Sequence, residues 1–293
     1  MDKREYRKGL MVVLGCMFLW GVLPAYWKML IPISSWIIII YRVLMVCVVA
    51  FIFAKVKYSW HEILEPLLHD RKMVVKLLSA GAVVTVNWSV FIWAVNSGHI
   101  IEASIGYYIE PLMVCVLGII IFHEKLTRYN VTAISLAFVA LVILLIHYHQ
   151  IPAISLGIAI TFPIYTAIKK SVTVPPLISL VYETVVFAPV ALGIIIYLET
   201  TGQGALAVAD GGKYVLLLLC GLMTVVPLGM FAWAAQRVSM FALGLSEYLS
   251  PSISMVLGVM VYKEDLDMVE FFAMCIIWVG LAFFSYGEWK ATR

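Results

Sequence analysis

From residue 10 to residue 287 the chain is one apolar run after another, and few folds accept such a pattern. A helix needs ~20 mostly apolar residues to cross a bilayer. Ten segments are of about that length: 10–28, 33–54, 73–95, 101–122, 129–147, 151–169, 177–198, 213–235, 241–262 and 268–287. Hydrophobic residues are 63% of the chain and charged ones 13%. Soluble domains have about 45–50% and about 25%, so a water-soluble fold would have too little polar surface to cover this core. The sequence predicts an all-α membrane protein with ten transmembrane helices. Lys3, Arg4, Arg7 and Lys8 look like the basic start of a secretory leader, but the run behind them is too long, contains Trp20 and Pro24, and lacks a small-residue cleavage pattern. It is expected to be the first anchor. The five cysteines all lie in apolar segments with no CxxC pair, and read as small buried hydrophobes.

Charge fixes an orientation. With an even number of spans both termini face one side. Of the 20 Lys and Arg, Arg42 and Lys76 fall within segments, and Lys28, Lys213 and Lys263 fall on one side. All the others collect on the side of the termini, which marks that side as cytoplasmic. The longest link there, "KVKYSWHEILEPLLHDRK", carries Trp60, Ile63, Leu64, Leu67 and Leu68 on one helical face. It predicts a short helix lying on the membrane surface.

The chain also repeats itself. "YYIEPLMVCVLGIIIFHEKL" from Tyr107 and "EYLSPSISMVLGVMVYKEDL" from Glu247 align at an offset of 140. Tyr108 meets Tyr248, Pro111 meets Pro251, Val116-Leu117-Gly118 meets Val256-Leu257-Gly258, and Glu124 meets Glu264. Upstream, Gly81 meets Gly221, Phe91 meets Phe231, and Trp93-Ala94 meets Trp233-Ala234. The halves are 1–149 and 150–293, with five segments each. Because five is odd, the second half enters the membrane in the opposite sense. Two inverted five-helix repeats place a pseudo-two-fold axis in the membrane plane, with a site near the midplane.

Ionisable groups inside the membrane are costly and face a cavity or a partner. Arg42 follows Tyr41 and Glu183 follows Tyr182 at nearly equivalent positions, with opposite signs. They are candidate coupling charges or a structural pair. Glu110 lies three residues after Tyr107, and Ser250 three after Glu247, so each half presents a carboxyl and a hydroxyl beside the repeated proline. Two carboxyls facing one cavity attract a cation or hold a proton. Asn87 adds a mid-helix amide. No GxxxxGK[ST], HExxH or GxSxG is present, so neither an enzyme nor a bound cofactor or metal is expected.

"LWGVLPAYWK", "YRVL", the stretch from Asn87 to Leu126, and "EYLSPSISMVLGVMVYKEDL" resemble the RarD branch of the EamA transporters, within the drug/metabolite transporter superfamily. The resemblance covers nearly the whole chain. It implies ten helices in two inverted repeats in a bacterial inner membrane, and export of small metabolites or drugs. Where this chain has Glu110 and Glu247, the branch often has Asn and Gln. The reading is a secondary transporter working by alternating access. Its site candidates are Trp20, Asn87, Trp93, Tyr107, Glu110, Tyr165, Trp233, Glu247 and Tyr248, with Arg42 and Glu183 as coupling or structural charges. Expected partners are a small-molecule substrate, the lipid bilayer and protons, without nucleic acid. The alternatives are a non-transporting membrane sensor or assembly partner, and a lipid scramblase.

Overall fold

The structure, a computed structural model, describes residues 3–96, 99–149, 153–263 and 267–292. These form thirteen α-helices: α1 (Lys3–Met29), α2 (Ser35–Lys57), α3 (Trp60–His69), α4 (Arg71–Asn96), α5 (Ile100–Ile120), α6 (Arg128–Tyr148), α7 (Ala153–Ser171), α8 (Pro176–Val185), α9 (Ala188–Thr200), α10 (Gly211–Ala235), α11 (Met240–Glu247), α12 (Leu249–Met260) and α13 (Met268–Thr292). Among the described residues there is no strand, and nine stretches are long and apolar enough to cross a membrane.

Three expected segments look different in the structure, the ninth, 241–262, being two helices, α11 and α12. The seventh, 177–198, is two helices, α8 and α9, broken at Val186–Phe187. The cause is Pro189, at the second position of α9: it has no N–H, and its ring excludes the carbonyl four residues back. The apolar stretch of spanning length there is Ala188–Ala207. The sixth, 151–169, is the 19-residue α7, which is not among the nine. Pro163, two threonines, Tyr165 and the closing Lys169-Lys170 lower the hydropathy of this short helix.

The surface helix expected after Lys55 is α3. Ser59 and Glu62 form a reciprocal capping box at its start. Ile63 is buried, while Trp60, Leu64, Leu67 and Leu68 are exposed along the same face.

The chain divides into two compact units. One comprises Leu23–Ala82 and Ser171–Trp233. Its core gathers Leu30, Ile33, Ile37, Tyr41, Ile195, Ala205 and Leu217. Tyr41 donates to Glu199 at 2.6 Å, and Glu199 also accepts from the backbone N–H of Ala205 at 2.8 Å, which pins the turn after α9. Gly81 lies against the backbone of Glu183, and Gly221 against that of Met45, so closely that neither position has room for a Cβ. These two glycines are 140 residues apart.

The other unit comprises Met1–Val22, Val83–Lys170 and Ala234–Arg293. Within it α5 packs on α11, and α6 on α13. The turns after α5 and after α12 have the same form: His123 (φ 50°) and Lys263 (φ 59°), 140 apart, both take the left-handed conformation. Thr127 then caps α6, and Asp267, also 140 later, accepts from Val269 N–H (2.8 Å) and Glu270 N–H (3.2 Å) at the start of α13.

Candidate substrate site

The second unit holds eight of the nine expected contact residues. Glu110 lies on α5, one residue ahead of Pro111, and is 6% exposed. Glu247, also 6% exposed, is the last residue of α11. Pro251 explains why α11 stops there, since it cannot donate the hydrogen bond that would carry the helix past the carbonyl of Glu247. The equivalent Pro111 sits within an unbroken α5. The repeated proline therefore bends the chain differently in the two halves.

α5 and α11 approach closely because Gly244 presents bare backbone to Pro111. A Cβ at Gly244 would lie 2.6 Å from the Pro111 carbonyl oxygen. This contact sets α11, whose last residue is Glu247, against the stretch of α5 that carries Glu110. Glu110 Oε2 and both carboxyl oxygens of Glu247 are buried without a hydrogen-bond partner. The Thr166 hydroxyl on α7 is likewise buried and unpartnered. An unpartnered buried carboxylate costs on the order of several kcal/mol, so these oxygens stand out from the satisfied polar groups around them.

Tyr248 is fully buried beside the pair. Its hydroxyl donates to the backbone carbonyl of Tyr108 at 3.0 Å. The Tyr108 hydroxyl donates in turn to Glu270 at 2.7 Å. Cys115, further along α5, is 1% exposed.

The remaining expected residues separate by environment. Asn87 is buried, and its amide donates to the Ile158 carbonyl (3.1 Å) and to Thr161 Oγ1 (2.8 Å), tying α4 to α7. Trp20 is half-buried, with its ring edge-on to Phe162 at 6.0 Å, and Phe162 touches the fully buried Tyr165. Tyr107 meets Phe91 edge-on at 5.5 Å. Trp93 is 49% exposed and stacks on His99 at the end of α4. Trp233, Arg42 and Glu183 belong to the other unit. There the Arg42 Nε donates to Thr224 at 3.1 Å, its guanidinium lies 5.5 Å from the Trp27 ring, and Glu183 accepts from Ser179 at 2.6 Å.

Sequence reasoning missed Glu270, Thr166 and the role of Glu124. Glu124 accepts from the Met240 N–H (2.8 Å) and the Phe241 N–H (3.3 Å), placing a negative charge at the N-terminus of α11, and it pairs with Lys170 at 3.6 Å. Its repeat partner Glu264 lies outside the described residues. Glu270 could have been found from the repeat, since it stands 140 after the helix-start residue Asn130.

Known proteins place this fold. The profile of the "EamA-like transporter family" matches residues 7–146 and 152–286. The chain is 34% identical to "Uncharacterized transporter YojE" of Bacillus subtilis (strain 168), covering 100% of this chain and 98% of that protein. It is 34% identical to "Protein RarD" of Streptomyces exfoliatus, covering 99% and 92%. One solved crystal structure matches with a TM-score of 0.74 at 13% identity, over 98% of this chain and 99% of the other, which shows a shared fold. A multi-pass, all-helical chain with this sequence relationship is a membrane transporter: it belongs to the EamA-like transporter family, in the RarD branch.

Proposed function

We propose that the chain is a secondary transporter that exposes one site, around Glu110 and Glu247, alternately to the two sides of the membrane. The observation that carries this reading is the set of three buried carboxyl oxygens without partners, contributed by both sequence halves. A purely structural pair would be expected to hold its hydrogen bonds internally. The outward direction and a small metabolite or drug as cargo follow from the resemblance to RarD proteins.

The reading includes ten spans in two inverted repeats, with α7 as the sixth and both termini cytoplasmic. Four features in register support the repeat: the left-handed turns at His123 and Lys263, the caps at Thr127 and Asp267, the close-packed Gly81 and Gly221, and the contact between Tyr108 and Tyr248. When two repeat-equivalent residues touch, they lie beside the axis that relates the halves. Glu110 is two residues from one member of that pair, and Glu247 adjoins the other.

The test is solute counterflow in proteoliposomes holding the purified protein. Wild type is expected to exchange a labelled solute, and Glu110→Gln or Glu247→Gln to lose at least about tenfold, the loss from removing a charged hydrogen-bond partner. A protein that binds a solute and moves none is a sensor, and that result would overturn the transporter reading.

A further inference from the structure

The Glu110–Glu247 pair is buried, and three of its four carboxyl oxygens have no hydrogen-bond partner. Its position also favours a cation. Glu247 ends α11, and the last carbonyls of a helix carry partial negative charge, which favours a cation and disfavours a carboxylate. Pro251 leaves the carbonyl of Glu247 without its helical donor, adding an acceptor at the same place. One positive charge seated there would offset all of these at once.

We propose that the pair binds a small organic ammonium ion. The proposal rests on the transporter reading above and names the class of its cargo. A hard divalent metal fits poorly: Mg²⁺ and Ca²⁺ take about six to eight oxygen ligands, and among the described residues no group of three or more His, Cys, Asp and Glu is arranged to hold a metal. The neighbours favour an organic ion. Tyr248 follows Glu247 in the chain and Cys115 lies on α5 with Glu110; both are buried, and they suit an alkyl or aryl group better than the water shell of an inorganic ion. The Tyr248 hydroxyl is already committed to Tyr108, so its remaining surface is the ring, which attracts cations at its face.

Matched pairs of probes test the charge directly. Choline is compared with 3,3-dimethylbutan-1-ol, and phenethylamine with 2-phenylethanol, by thermal stabilisation of the detergent-purified full chain. The ammonium member of a pair is expected to raise the midpoint and its neutral isostere to leave it unchanged. Glu110→Gln and Glu247→Gln are each expected to weaken ammonium binding by about 10- to 100-fold, whereas Glu65→Gln, on the exposed side of α3, leaves it intact. Equal response to both members of each pair, no response to either ammonium, or stabilisation that survives both site variants would overturn the cation site. The wild-type comparison decides even if a variant fails to fold. Counterflow of labelled phenethylamine separates the two claims: binding without movement keeps the cation site and overturns the transporter reading, while movement of the neutral alcohol alone does the reverse.

Discussion

The hydroxyl of Tyr248 donates to the backbone carbonyl of Tyr108, the residue 140 positions earlier, at 3.0 Å. On the repeat reading proposed above, a residue bonded to its own equivalent would lie where the two halves meet. Tyr248→Phe removes this bond and keeps the ring. The variant is expected to lose about 1 kcal/mol of stability, read as a lower unfolding midpoint in detergent. An unchanged midpoint would mean that the contact is incidental.

Gly244 is the point of closest approach between α5 and α11. Gly244→Ala places a methyl 2.6 Å from the Pro111 carbonyl oxygen and 3.0 Å from the Val114 side chain. Overpacking of this kind costs about 1–3 kcal/mol, and here it also separates the carboxyl pair. The expected result is a lowered midpoint together with lost ligand response. Gly193→Ala, with nothing within 4 Å of the added carbon, is expected to be neutral.

Asp267 gives a pH signature outside the membrane. Burial alone would raise its carboxyl, but the N–H groups of Glu270 and Val269, with His147 and Tyr148, outweigh burial and hold it below its ordinary value. A folded value below the unfolded one stabilises the protein above the unfolded value, about pH 3.9, and that contribution is lost as pH falls through the folded value. Asp267→Asn keeps a capping oxygen and removes the charge. Its stability deficit against wild type is expected at neutral pH and to close as the solution is acidified below about pH 4. Asp267→Ala also loses the cap, about 1 kcal/mol, and part of its deficit should persist in acid.

The apolar face of α3 is expected to lie in the bilayer interface. A spin label at Leu64 should be reached by lipid-soluble oxygen more readily than by an aqueous nickel complex, and a label at Glu65 the reverse. Equal aqueous access at both positions would show α3 standing clear of the lipid.

Hydropathy made most of the helices legible in the sequence, because a bilayer demands long apolar runs and little else resembles them. It could not show the breaks at Val186 and at Tyr248, since an average over ~20 residues is blind to one missing hydrogen bond. The repeat identified equivalent residues but not which of them touch, as Tyr108 and Tyr248 do. Glu110 and Glu247 stood out as charges among apolar neighbours. Asn87 stood out for the same reason, yet its amide ties two helices together, and only coordinates separate a polar group already satisfied from one left open. Trp93 matched Trp233 in the alignment but faces outward beside His99.

The same proline, written twice, leaves one half stiff and the other jointed. Glu110 is carried on a continuous rod, while Glu247 stands at the end of an eight-residue helix whose backbone is interrupted at Tyr248. One jaw of the clamp is fixed and the other is mounted on a knuckle. On the transporter reading proposed above, a small rotation at Tyr248 would reset the gap between the carboxyls without breaking a backbone hydrogen bond in α5, so that guests of different girth could be gripped by moving one side alone.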